Sequence, residues 1–262
     1  MDWRESRFTR HHNLLTGAAP ITGPIVDNGR TAGKKVGRKV AGGIQYVGGA
    51  ASLKPSTETT IPLTGLTGGL ASSPAENDVA IHMSCWSANA TVPVPSGWTA
   101  ILTGLTQDAT AGIRLSVLIA YKVLGAGETT IPAPSVRTEV YTVQVFRGVN
   151  TTTPLDVPAV SSLINDSPQP NLAAVTPVTS GAVVVGCGAS HGAYNANVFT
   201  TPDLTNFLTY VNTPGSFDEV VGAGFIPWSG TGPVDPAQFG GGATSNPSWC
   251  SSGQATIALR PA

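Results

Sequence analysis

Four histidines, three cysteines and a few acids are the groups in this 262-residue chain best equipped for chemistry. His82 and Cys85 stand three apart, and Cys187 and His191 four apart, a spacing that invites zinc held by imidazole and thiolate. On a strand, however, positions three apart point to opposite faces. His82 and Cys85 would need a bulge to reach one metal. The expectation is therefore no metal and no cofactor, with Cys85 and Cys187 in the core and the histidines at edges or turns. A Cys85–Cys187 disulfide stays open if their strands are neighbours, and with Cys250 the three cysteines form no disulfide framework. Gly188-Ala189-Ser190-His191-Gly192 sets serine beside histidine, but adjacent residues of an extended chain point apart. A hydrolase elbow needs its serine on a strained turn into a helix. Asp218-Glu219 is the one adjacent acid pair weighed for glycan cleavage, which needs two carboxylates across a groove. It reads instead as a solvated turn before a strand, as do Asp156, Asp166, Asp203 and Asp235 beside their prolines, glycines and serines. Gly240-Gly241-Gly242 lacks the lysine and helix of a phosphate loop. The reading is not an enzyme.

The elements that must position these residues follow from composition. Only 11% of residues are charged, against about 25% in ordinary globular chains. Glycine (31) and proline (21) are abundant. Helices need Lys, Glu, Arg and Gln on their outer faces, and those are scarce here. Many short strands joined by Gly/Pro turns satisfy the composition instead. Alternation marks 78–86, with Val79, Ile81, Met83 and Cys85 on one face, and 139–149, with Val140, Thr142, Gln144 and Phe146 on one face. Residues 44–47 read as the first plausible strand, and further strands are expected at 57–63, 98–102, 112–124, 182–187, 204–211, 220–226 and 255–259, giving roughly ten from about residue 54 onward with turn signals between most of them. Segments 78–86 and 181–189 share a pattern, read as similar environments and not as a repeat. The Gly/Pro/Ser-rich stretch 227–252 reads as one long functional or contact loop. Lys122 and Arg147, set in apolar strands, should snorkel to a rim or pair with an acid such as Glu139. The fold class is all-β: an antiparallel jelly-roll-like β-sandwich over 54–262, preceded by an extended basic N-terminal arm over 1–53.

The arm rests on charge. Net charge is -1, yet Arg4, Arg7, Arg10, Arg30, Lys34, Lys35, Arg38, Lys39 and Lys54 precede residue 55 with only Asp2, Glu5 and Asp27. A basic segment thus precedes an acidic body. The cluster Lys34, Lys35, Arg38 and Lys39 suits an acidic protein surface ahead of nucleic acid, because the interleaved aromatics of a single-strand binder are missing. Residues 1–7 are charged with no apolar stretch behind them, so no secretory signal is read, and no window approaches the roughly 18 apolar residues of a membrane span. The three thiols are then expected to be reduced. Trp86, Trp98, Trp228 and Trp249 read as edge plugs of a sandwich. The alternative gives Trp228 and Trp249 a glycan-contact role.

Three stretches, Pro95-Ser96-Gly97-Trp98-Thr99, Ala120-Tyr121-Lys122-Val123 and Val145-Phe146-Arg147-Gly148-Val149, precede a closing Thr256-Ile257-Ala258-Leu259-Arg260-Pro261-Ala262. Together they resemble the β-sandwich proteins of tailed bacteriophages: head decoration or cement proteins, head spikes and tail appendages. The resemblance spans about residues 55–262 and brings no catalytic residue with it. It implies a virion structural protein, assembled in the bacterial cytoplasm, homo-oligomeric and plausibly trimeric at threefold positions. Physics adds the arm, whose roughly 50 residues reach about 165 Å when stretched. Arg4, Arg7, Arg10, Arg30, Lys34, Lys35, Arg38 and Lys39 would then meet the major capsid protein or another virion protein. The alternatives are a tail or head-fibre component and a carbohydrate-binding host-surface adhesin.

Overall fold

The computed structural model describes residues 43–87, 92–107, 114–192, 196–213, 218–242 and 250–262. The chain divides between Lys39 and Val40, and every described residue lies in the second unit. The described part is all-β, with no helix. Its strands are β1 (Gln45–Lys54), β2 (Thr60–Pro62), β3 (Val79–Ser87), β4 (Thr99–Gln107), β5 (Arg114–Val123), β6 (Thr130–Pro132) and β7 (Glu139–Arg147) in the first half. The second half holds β8 (Val160–Asn165), β9 (Val183–Gly192), β10 (Asn197–Thr200), β11 (Thr205–Asn212), β12 (Asp218–Pro227), β13 (Gly240–Gly242) and β14 (Cys250–Leu259). Two antiparallel five-stranded sheets result, ordered β1-β7-β3-β5-β4 and β11-β12-β9-β14-β8.

Each sheet is thus built from one half of the chain. A jelly roll winds successive strands alternately into two sheets, so this strand order corrects the jelly-roll expectation while keeping the sandwich. The arm boundary moves as well. Residues 45–53, read as arm, form the edge strand β1 and pair with β7 from Gln45↔Arg147 to Lys54↔Glu139. The expected strand 255–259 starts at Cys250, inside the supposed long loop, and β13 lies there too.

The two sheets repeat one topology. In each, the first long strand is an edge that pairs with the last. The last pairs with the second, the second with the fourth, and the fourth with the third at the other edge. Registers correspond residue by residue. Val79 pairs with Val123 and Phe146, and Val183 with Pro227 and Leu259. The third strand carries a bulge at the same place, between Ala100 and Leu102 in β4 and between Thr205 and Leu208 in β11. Trp98-Thr99-Ala100-Ile101-Leu102-Thr103 thereby matches Leu204-Thr205-Asn206-Phe207-Leu208-Thr209. Strands β3 and β9 are thus equivalent members of a repeated topology, with 78–86 standing in register with 182–190.

The core between the sheets shows the same correspondence. Val79, Ile81, Met83 and Cys85 of β3 face Val183, Val185, Cys187 and Ala189 of β9 across one buried cluster, joined by Val117, Ile119, Val221, Ala223, Ile257 and Leu259. The outer faces diverge. On the first sheet, side chains on the strands fill the space: Ala80, Trp86, Leu118, Ala120 and Tyr141 pack with Trp98 and Ile131. On the second sheet Gly222 and Gly224 stand where Leu118 and Ala120 do, and Gly186 and Gly188 where His82 and Ser84 do, and the covering segments supply the bulk through Phe199, Phe239, Leu172 and Leu204. A Cβ on Gly188 would meet Pro170 Cγ at 2.7 Å, and one on Gly222 would meet Phe207 Cζ at 2.7 Å.

Each half also ends in an arginine clamp. Arg147, just after Phe146, donates from Nε and Nη2 to Asp78 Oδ1 and Oδ2, both at 2.8 Å. Asp78 also accepts the Ala75 N–H at 2.8 Å. Arg260, just after Leu259, donates from Nε to Asp156 Oδ1 at 3.3 Å, and Asp156 Oδ2 accepts the Thr179 N–H at 3.0 Å. Ala75 and Thr179 are equivalent turn residues, since the N–H groups of Asp78 and Ala182 bond back to their carbonyls. One amide is therefore capped twice by carboxylates from different parts of the chain. Burial pushes the Asp156 carboxyl up, but bonds from Thr179, Val178 and Arg260 outweigh it and hold the group below its usual range. Asp156 is thus no solvated turn residue.

Candidate functional site

The anchoring residues Arg4, Arg7, Arg10, Arg30, Lys34, Lys35, Arg38 and Lys39 lie outside the described residues, as does Trp249. Trp228 follows β12, is partly exposed, and donates its indole N–H to the Gly232 carbonyl at 3.0 Å. Among the described residues it has no aromatic neighbour with which to form a sugar platform. Trp98 behaves as the Gly-Trp turn leads one to expect. Its N–H bonds to Pro95 O at 3.0 Å, Gly97 takes φ 78°, and the ring folds over the sheet to meet His82 edge-on at 6.0 Å.

Cys85 lies in the inter-sheet core, while His82 sits on the outer face beside Trp98 and Tyr141. The two point apart, as their spacing requires. Both are wholly buried, which corrects the placing of His82 at an edge. Burial drives the His82 pKa down to about 3, a bond with the Thr142 backbone opposing it in part. None of the three cysteines is in a disulfide, and Cys85 and Cys187 belong to different sheets. The Ser190 hydroxyl has no hydrogen-bond partner among the described residues, and His191 lies on the other face of β9. Among the described residues, no three His, Cys, Asp or Glu side chains gather as a metal would need.

Lysine 54 is misassigned by the charge count. Its side chain is fully buried and donates to the carbonyls of Pro55, Glu58 and Arg137 at 3.1, 3.1 and 2.9 Å. Those three bonds use its three protons. Glu139, 3.7 Å away, forms an ion pair with it but accepts no hydrogen bond among the described residues. Burial lifts the Glu139 pKa to about 8, with Lys54 pulling it only part of the way back. The partners foreseen for Lys122 and Arg147 also change. Lys122 pairs with Glu128 and Arg147 with Asp78, while Glu139 belongs to Lys54.

The acid pair Asp218-Glu219 is no solvated turn. Asp218 is buried and accepts the Ala196 N–H at 2.7 Å. Glu219, the next residue of β12, turns to the opposite face. There it accepts the Ser87 N–H at 2.9 Å from the other sheet and the Asn212 side-chain N–H at 2.8 Å. It lines a cleft of about 430 Å³ with Ser56, Ser87, Val136, Arg137, Thr138 and Asn212. Burial pushes the Glu219 carboxyl above its ordinary range, the bonds from Asn212 and Ser87 pull it back in part, and Asp218 adds to the rise. The two neighbouring acids therefore do not face each other across a groove, and among the described residues the cleft is lined by one carboxylate. The sequence signal that existed was the parity of 218 and 219 along β12.

Comparison with protein families, with curated proteins and with solved structures finds no match to this chain.

Proposed function

We propose that this chain is a non-enzymatic virion structural protein, a capsid decoration or cement protein anchored by its basic N-terminal segment. The observation that carries the proposal is the separation of charge. Eight of the 14 Lys and Arg residues, but three of the 15 acids, precede residue 43, which leaves six and twelve in the remainder. Of the six later cations, Lys54, Lys122, Arg147 and Arg260 are paired with acids of the same body. The positive charge able to meet an acidic partner is thus concentrated in residues 1–42. A sandwich with few charges and a buried core supports a rigid body set beside its own copies. Several copies around a symmetry point, three being the simplest guess, would multiply modest arm contacts to the major capsid protein into firm attachment.

The test is co-sedimentation with particles assembled without this chain, at low and moderate salt. The truncation to use begins at Gly43, because removing residues through 53 deletes β1. The full chain should pellet at a saturable stoichiometry. The truncated chain, and a full chain with Lys34, Lys35, Arg38 and Lys39 changed to glutamine, should stay soluble. Equal pelleting of all three would remove the role of the arm, and no pelleting of any would remove the decoration reading.

A further inference from the structure

We propose that the cleft over Glu219 binds a hexopyranose sugar. The internal repeat supplies the control. Glu219 pairs with Asn212 in the register that sets Leu115 opposite Thr106. Leu115 is fully buried in the inter-sheet core. The fold therefore accepts leucine where it carries Glu219, and a buried carboxyl there costs solvation that packing does not require. Its neighbours diverge with it: Asn212 replaces threonine, and Ser87 occupies the position held by His191 in β9.

The lining selects the ligand class. The described residues that line the cleft carry a carboxyl, a carboxamide, a guanidinium and three hydroxyls, with Val136 as the one aliphatic member among them. Such a set alternates donors and acceptors at short spacing, which matches vicinal hydroxyls that each donate and accept. An anion would meet the Glu219 carboxyl with Asp218 behind it, and a metal would find a single carboxylate and the Arg137 guanidinium. An apolar molecule would find only Val136 among the described lining residues. Val136 is 83% exposed and offers the small hydrophobic patch that the C–H face of a sugar ring covers. The volume falls at the small end of ligand pockets. The polar groups are also pre-set. Ser87 ends β3, Asn212 ends β11 and Glu219 opens β12, and Glu219 is already bonded to both others. Little side-chain freedom remains to be lost on binding. Each carboxyl oxygen accepts one internal bond and keeps a second acceptor site.

The experiment is a titration of the isotope-labelled full chain, followed by amide chemical shifts. The probes are D-glucose, D-galactose, D-mannose and N-acetyl-D-glucosamine, each taken to about 50 mM to cover millimolar dissociation constants. At least one sugar should give saturable shifts centred on Ser87, Thr138, Asn212 and Glu219. Glu219→Leu should keep the native spectrum and weaken binding at least about tenfold, the loss of roughly one charge-assisted bond. Arg137→Ala and Asn212→Ala, which leave the core intact, should each weaken it about threefold or more. No saturable shift with any of the four sugars would overturn the proposal. So would shifts centred on Trp228, or wild-type affinity in Glu219→Leu. Should Glu219→Leu fail to fold, unchanged affinity in both of the other variants would overturn it equally.

Discussion

Replacing Gly188 with alanine is expected to destabilise the protein, although a glycine inside a strand is normally a weakness. By itself, the change removes backbone freedom from the unfolded chain and should stabilise by about 0.5–1 kcal/mol. Here the new Cβ would lie 2.7 Å from Pro170 Cγ and 2.8 Å from both Pro170 Cβ and Phe239 Cε2. Carbon atoms prefer about 3.5–4.0 Å, so the two rings must retreat by nearly an ångström. Neither ring is the loose end of a flexible chain, and Phe239 is also held against Phe199 and Phe207 at 5.3 and 5.2 Å between centroids. Overpacking of this kind costs about 1–3 kcal/mol. The net expectation is a loss of about 1–2 kcal/mol, read from urea unfolding monitored by tryptophan fluorescence. In a thermal scan it should appear as about 2–8 °C. Trimming the cover by Phe239→Leu should recover part of the penalty, so the double variant should depart from additivity by about 0.5 kcal/mol or more. If Gly188→Ala stabilises the protein, or the two changes simply add, the cover is not seated on the glycine face as described.

The arginine clamps should behave alike. Arg147→Met and Arg260→Met each leave a buried aspartate short of its cation, and each should cost about 2–3 kcal/mol in the same unfolding assay, allowing for partial solvent access to the arginines. Stability should peak between about pH 5 and 6.5. On the acid side, the unfolded chain takes up a proton on His82 below 6.5 that the folded chain refuses until about 3. On the alkaline side, folded Glu139 keeps its proton to about 8 while the unfolded chain loses it near 4.5. Each of these two groups should contribute at most about 1.4 kcal/mol per pH unit, and Glu139→Gln should flatten the alkaline limb and move the stability maximum up towards pH 6.5. Burial with the Glu219 and Glu139 charges pushes the Cys85 thiol up, and burial lifts Cys187 to about 12. Both should resist a thiol-specific disulfide reagent until the protein unfolds, and reaction of either in native buffer would contradict their placement.

What was readable in the sequence followed from where side-chain bulk resides. Strands β3 and β7 carry alternating side chains on both faces, and their limits were found within two residues. Strands β9 and β12 were found short, because Gly186, Gly188, Gly222 and Gly224 erase the outer half of the alternation, and β14 was found short because Gly253 leaves a gap in its inner face. The bulk that belongs there is held by Phe199, Phe239 and Leu172, far away in sequence. The repeat was missed for the same reason. Val79, Ile81, Met83 and Cys85 resemble their inner-face counterparts, whereas His82 and Ser84 stand against Gly186 and Gly188. Composition cannot reveal that Lys54 is buried, and so it was counted with the arm. The acid pair was visible but its meaning was not. Strand parity sends Asp218 to one face and Glu219 to the other, and only the second lines a cleft.

In the proposed function, the basic segment 1–42 would fix the body to a particle. The most direct measurement is the temperature at which particles release their nucleic acid, followed with an excluded dye. Compare bare particles, particles saturated with the full chain, and particles mixed with the glutamine-substituted arm variant. A cement role requires release at higher temperature with the full chain and bare-particle behaviour with the variant. Release at the same temperature from bare and saturated particles would contradict it.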